Sequence, residues 1–218
     1  MEVLRIEPPW GSKDLRQAAK KVVEANDVVE GLARITVIAG DRPTTRGMAT
    51  ITSRALPEIP SQPALHVATT IRRISGPMSQ VKSIARGAEA VALREAEAEG
   101  AFDAVLLNEK GRVVETTARN LFLISSGSLQ TPPTYDGALP GITRGAVLEI
   151  AARAKIRTRE MFVSLDRLRG ADEMFLSGSG VGVLGIASVD GRRMEAPGRV
   201  TRTIQEGYAA LLDAEARW

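Results

Sequence analysis

The chain of 218 residues predicts an α/β (α+β) protein of two lobes. Three observations predict it. Short apolar runs rich in Val, Ile and Leu alternate with Ala-rich stretches whose apolar residues recur at helical spacing. The Gly76-Pro77 pair interrupts this alternation and reads as a linker, which sets a small lobe over 1–76 and a larger one over 77–218. Finally, 44% apolar and 25% charged residues are ordinary for a globular chain of this length, and an aromatic content of 4% makes the core aliphatic.

Taken in order, residues 13–26 predict a helix, with Leu15, Ala18, Ala19, Val22 and Val23 on one face and Ser12 as its N-cap. Residues 34–40 read as a strand ending in a Gly40-Asp41 turn, and 43–61 as turn-rich with a strand-like piece at 49–52. A further strand is predicted at 64–70, then the linker at 74–79. Residues 83–99 form an Ala-rich helix with Ile84, Ala88, Val91 and Ala92 inward. Three strands follow at 103–107, 112–115 and 120–124, the first two joined as a hairpin through Asn108 to Gly111. A helix at 142–154, strands at 173–177 and 181–186 around a Gly178-Ser179-Gly180 bend, and a closing amphipathic helix at 200–214 complete the pattern.

Composition removes several chemistries. The absence of cysteine excludes disulfides, thiolate metal sites and cysteine nucleophiles. A lone histidine, His66, leaves no imidazole set for catalytic zinc and none besides itself for a Ser-His-Asp triad. The net charge is +3, and the arginines are dispersed rather than clustered, which argues against nucleic-acid binding. No run is long and apolar enough for a membrane span, and the first residues lack the pattern of a signal peptide. A cytoplasmic enzyme working without a metal is the expectation.

Several residues then carry candidate chemistry. Lys82, just past the linker, is either a surface lysine or a Schiff-base lysine, which needs a lowered pKa. Glu115 ends an apolar strand, as a solvated carboxylate or as the partner of a cofactor's pyridine nitrogen. Gly141-Ile142-Thr143 opens a helix, either as a plain cap or as a phosphate cradle of free amides favoured by the helix dipole. Ser179, with the Gly180 and Val181 amides, is a turn that could add a hydroxyl and a small anion nest. Asp41-Arg42 and Thr45-Arg46-Gly47, in a loop of the first lobe, are either solvated or suited to a substrate carboxylate.

Together Glu115, Asn120-Leu121-Phe122, Leu129-Gln130-Thr131 and Leu139-Pro140-Gly141-Ile142-Thr143-Arg144 resemble the signature of the class IV aminotransferases. This fold-type IV family of pyridoxal-phosphate enzymes includes branched-chain and D-amino acid aminotransferases and 4-amino-4-deoxychorismate lyase. The resemblance implies a two-lobed D-amino acid aminotransferase-like fold, with an incomplete small lobe and a larger barrel-like one. It implies pyridoxal 5'-phosphate as cofactor, with Lys82 as the Schiff-base residue and Glu115 at the ring nitrogen. Leu139 would pack on the ring, and Gly141, Ile142, Thr143 and Ser179 would sit at the phosphate. Arg34, Arg46 and Gly180 are the implied substrate contacts, and a homodimer the implied assembly.

Two departures from the family pattern stand out. Met1 falls near the family's second helix, so early strands and a phosphate-binding arginine have no counterpart in this sequence. Lys82-Ser83-Ile84-Ala85-Arg86 lacks the tyrosine that branched-chain enzymes tend to place after their lysine. Aminotransfer between an amino acid and a 2-keto acid is the leading expectation. Release of pyruvate from aminodeoxychorismate is the alternative, and a non-catalytic homologue the third.

Overall fold

In a computed structural model, residues 4, 6, 10–40 and 47–215 are described, and Arg46 lies outside them. The backbone forms two compact units, 1–58 and 59–218. The unit boundary falls earlier than residue 76 because the strand before the linker pairs within the larger unit.

In the first unit, helix α1 (Ser12–Ala25) precedes strands β1 (Gly31–Ile38) and β2 (Met48–Ala55). The two strands pair antiparallel along their whole length, from Gly31 opposite Ala55 to Ile38 opposite Met48. The cap of α1 is Gly11 rather than Ser12, and the Gly11 N–H donates to the Asp14 carboxylate at 2.9 Å.

The second unit contains two five-stranded sheets. One has the order β12-β11-β3-β4-β5, built from β3 (Ala64–Arg73), β4 (Asp103–Asn108), β5 (Val113–Thr116), β11 (Ser188–Val189) and β12 (Arg192–Arg193). The other has the order β10-β9-β6-β7-β8, built from β6 (Asn120–Ser125), β7 (Ser128–Thr131), β8 (Thr158–Glu160), β9 (Glu173–Gly178) and β10 (Gly182–Gly185). Helices α2 (Gly87–Ala98), α3 (Ile142–Arg153), α4 (Leu165–Arg169) and α5 (Arg199–Glu215) complete the unit.

Alternation along the strands divides the core into layers. Val105 and Leu107 of β4 meet Leu121 and Leu123 of β6, and Met174 and Leu176 of β9, in a cluster shared by the two sheets. Ala104 and Leu106 point the other way, against Ala92 and Ala96 of α2. Phe122 and Phe175 likewise face away from the shared cluster, toward Val147 and Ile150 of α3 and Val200 and Ile204 of α5. Strands covered on both faces need apolar residues at successive positions, and so β4 and β6 read as continuous hydrophobic runs.

The predicted helix at 83–99 starts only at Gly87. The Ser83 hydroxyl accepts from the Ala85 N–H at 3.0 Å, a local turn that competes with helix formation. Lys82 therefore lies on an irregular segment between a 3-10 turn at Pro77–Gln80 and α2. Among the described residues, no helix is long and apolar enough to cross a membrane.

Candidate active site

Glu115 lies within β5, opposite Leu106 of β4, and only 5% of its surface is exposed. One carboxylate oxygen stands 3.0 Å from a terminal nitrogen of Arg73. The other accepts from the Leu139 N–H at 3.0 Å and from the Asn120 amide at 3.2 Å. Burial pushes Glu115 up to about 7, against the Arg73 charge and the Leu139 hydrogen bond; the Glu89 charge raises it and the Lys82 charge lowers it.

Asn120 opens β6 and joins two parts of the site. Its amide donates to Glu115 and also to the Leu139 carbonyl at 2.8 Å. Its oxygen leaves no room beside Gly141, where an added Cβ would lie 2.2 Å away. Gly141 caps α3 and, having no side chain, makes no side-chain cap bond to the first turn of that helix. Its leading amides are thus open to an anion. Thr143 is buried and Ile142 is 92% exposed.

On the neighbouring strand, Ser177 of β9 stands opposite Asn120. Its hydroxyl is buried and has no hydrogen-bond partner among the described residues. The chain then turns at Gly178, whose carbonyl accepts from the Val181 N–H at 3.1 Å, with Ser179 exposed at the turn and Gly180 half-buried. Lys82 is exposed, near enough to Glu115 for its charge to be felt there. The structure thus brings together Glu115, Asn120, Leu139 and Gly141, with Ser177 on the adjoining strand. Arg34 is exposed on β1 of the first unit, opposite Thr52.

Two residues that hold this site have no motif in the sequence. Arg73 ends β3 and reaches both Glu115 and Glu89. Asp103, fully buried, fixes the turn after Glu115. Its carboxylate accepts from the Thr116 hydroxyl at 2.9 Å, the Thr117 hydroxyl at 2.6 Å and the Thr117 N–H at 3.1 Å, and it pairs with Arg119 at 2.5 Å. The adjacent threonines before Arg119 were the available signal, since such a pair supplies hydroxyls to a buried carboxylate.

Two α/β units with a buried carboxylate beside an uncapped helix start describe a class of enzyme, and the comparisons name it. A family model described as amino-transferase class IV matches residues 1–189. The chain belongs to the class IV aminotransferase family. It is 28% identical over 227 aligned positions to a Methanocaldococcus jannaschii protein provisionally named as a branched-chain-amino-acid aminotransferase, covering 99% of this chain and 78% of that one. It is 36% identical over 128 positions to the branched-chain-amino-acid aminotransferase of Escherichia coli, covering 57% of this chain and 41% of that protein.

Solved structures agree. The branched-chain aminotransferase of Thermoproteus uzoniensis with norvaline superposes with a TM-score of 0.89 at 27% identity, over 99% of this chain and 76% of that one. An aminotransferase from Brucella abortus bound to pyridoxal phosphate gives 0.85 at 26%, over 96% and 79%. A Legionella pneumophila protein provisionally named as a 4-amino-4-deoxychorismate lyase gives 0.85 at 25%, over 97% and 80%.

Proposed function

We propose that the protein is a pyridoxal-phosphate-dependent aminotransferase that moves an amino group between an amino acid and a 2-keto acid. One observation carries the reading beyond family membership. A buried carboxylate, Glu115, is tied through Asn120 and Leu139 to an uncapped helix start at Gly141.

The residues fit the cofactor. A carboxylate accepts at about four lone-pair positions; among the described contacts Arg73, Leu139 and Asn120 take three, and the proton of a pyridine nitrogen would suit a fourth. The open amides of Ile142 and Thr143 suit a phosphate, and the unpartnered Ser177 hydroxyl marks a polar demand on the same side as Asn120. Leu139 would lie against the ring, Ser179 would add a hydroxyl to the phosphate, and Lys82 would hold the aldehyde end. When bound, the cofactor draws off the electron pair left at the substrate's α-carbon after a proton leaves.

The protein's own groups do the rest. Glu115, ionised, keeps the ring nitrogen protonated. The Lys82 amine, in its neutral form, takes the proton from the α-carbon and returns it. Arg34, Arg46 and the Gly180 amide are each proposed as groups for a substrate carboxylate, which suits charge-assisted hydrogen bonds. A homodimer in the cytoplasm is part of the same proposal, and sedimentation of the purified protein tests the assembly.

The decisive assay saturates the purified protein with pyridoxal phosphate and adds amino donors singly, then 2-oxoglutarate. Branched-chain donors come first because relatives carry that name; the missing tyrosine after Lys82 calls for a broad panel. A donor-dependent change in the cofactor's absorption with formation of the keto acid is expected, and the absence of any change with every donor sinks the reading. The likeness to the Legionella protein supports a second reading as 4-amino-4-deoxychorismate lyase. Release of pyruvate and p-aminobenzoate from aminodeoxychorismate separates it from aminotransfer.

A further inference from the structure

We infer that Arg73, steadied by Glu89, is a positioning residue that fixes the Glu115 carboxylate and the segment leading to Lys82 in one frame. The inference rests on the aminotransferase reading for its consequence, since only there do Glu115 and Lys82 act on one cofactor.

The guanidinium makes four contacts, each to a different part of the site. Its Nε donates to the Gly137 carbonyl at 2.9 Å, two residues before Leu139. One terminal nitrogen meets Glu89 of α2 at 2.6 Å. The other meets Glu115 at 3.0 Å and donates to the Ser79 carbonyl at 3.4 Å, three residues before Lys82. The donors of a guanidinium are coplanar and fixed, so placing one acceptor constrains the other three. A lysine has one nitrogen and cannot span four acceptors in this fork.

The charges explain why Glu89 belongs to the device. One guanidinium is shared between two carboxylates, so neither is fully balanced by it. A cation arriving at Glu115 completes the balance. Glu89 restrains Arg73 from the far side and so keeps its orientation when that happens. Glu115 has 5% of its surface exposed, and Arg73 is the cation whose charge acts on it most strongly, ahead of Lys82.

The test begins with cofactor-free protein, in which carbon-13 labelling of glutamate carboxyls follows the Glu115 titration, assigned by its loss in Glu115→Gln. Arg73→Met should move that titration upward from about 7, because the charge that favours the carboxylate is gone. Glu89→Gln should move it downward, because a repelling charge is gone. General loosening of the fold does not give opposite shifts. Arg73→Lys should fall between wild type and Arg73→Met, and serves with Glu89→Gln if Arg73→Met does not fold.

In protein loaded with pyridoxal phosphate, Arg73→Met should retain the cofactor about tenfold less tightly, the scale of one charge-assisted hydrogen bond. A Glu115 titration unmoved in the Arg73 variants and Glu89→Gln overturns the inference. Wild-type protein that takes up no pyridoxal phosphate while the shifts appear overturns the proposed function instead and leaves the Arg73–Glu115 link standing.

Discussion

A carboxylate with so little exposed surface stays charged only where donors and cations replace its water, and Glu115 is poised at that limit. Its ordinary value of 4.5 rises to about 7 in the folded, cofactor-free protein. Between those pH values the folded chain keeps a proton that the unfolded chain releases, so stability falls as pH rises across the interval. The loss is complete above about pH 7 and amounts to at most about 3 kcal/mol. Cofactor-free protein should therefore melt lower at pH 8 than at pH 5, and Glu115→Gln should flatten that difference in a thermal melt. Glu95 has the opposite sign. Hydrogen bonds from the Thr70 and Thr69 hydroxyls hold its carboxyl well below the usual range. Its stabilisation is present above about pH 4.5 and is lost as pH falls further, so Glu95→Gln should show a shallower acid loss than wild type in the same melts. Gly141→Ala is a steric test. The new methyl would push the Asn120 side chain aside by its oxygen and break the bonds that its amide N–H groups donate to Glu115 and the Leu139 carbonyl, costing about 1–3 kcal/mol and markedly weakening cofactor uptake, as melting and absorbance titration would show.

At the scale of elements, the start of α5 depends on a buried acid from another strand. Glu173 of β9 accepts from the Val200 and Thr201 N–H groups at 3.1 and 2.9 Å and from the Thr201 hydroxyl at 2.8 Å. This satisfies the open first turn and places a negative charge at the positive end of the helix. Gly198 is required beside it, because a Cβ there would lie 2.1 Å from the Glu173 carboxyl carbon. Gly198→Ala and Glu173→Ala should each cost about 2–3 kcal/mol, read as a lowered urea midpoint. Neither the cap nor its glycine was legible in the sequence, since Glu173 and Thr201 meet only after the fold forms. Legibility followed local pattern throughout. The runs at 103–107 and 120–124 announced β4 and β6, and helical spacing announced α1, α3 and α5 within a residue or two. Strands β7 and β8 were missed because their apolar alternation is weak and their parallel pairing supplies what the pattern lacks. The predicted strand at 64–70 stopped short of Arg73, since a register shift between Val67 and Arg72 interrupts the alternation. The residue that grips Glu115 therefore fell between the predicted strand and the linker at 74–79. The motif residues at 115, 120, 139 and 141 were readable, and their convergence is visible in the hydrogen bonds among them.

For the whole molecule, the second unit stands on three interiors, one between the sheets, one under α2 and one under α3 and α5. Phe122 and Phe175 pair across β6 and β9 with ring centroids 4.8 Å apart, and they lie on the face that also carries Asn120 and Ser177 at its end. Phe175→Ala should cost about 3–5 kcal/mol from lost burial and the cavity left behind. It should also loosen the strand that carries Ser177. The same two sheets hold the proposed cofactor residues, with Glu115 on one, Asn120 and Ser177 on the other, and α3 opening between strands β7 and β8 in the chain. A ligand bound to all three would add to the hydrogen bonds and packing that already tie these elements together. Binding to the folded state alone stabilises by about 2.7 kcal/mol when the free ligand is a hundredfold above its dissociation constant. For a chain of this size that is a rise of roughly 5–11 °C in melting temperature. Pyridoxal phosphate at that excess should raise the midpoint of wild-type protein by this amount. Lys82→Ala should keep only part of the rise, because the phosphate and ring contacts remain when the aldehyde contact is lost. Equal rises in both would remove Lys82 from the site, and no rise in either would remove the cofactor.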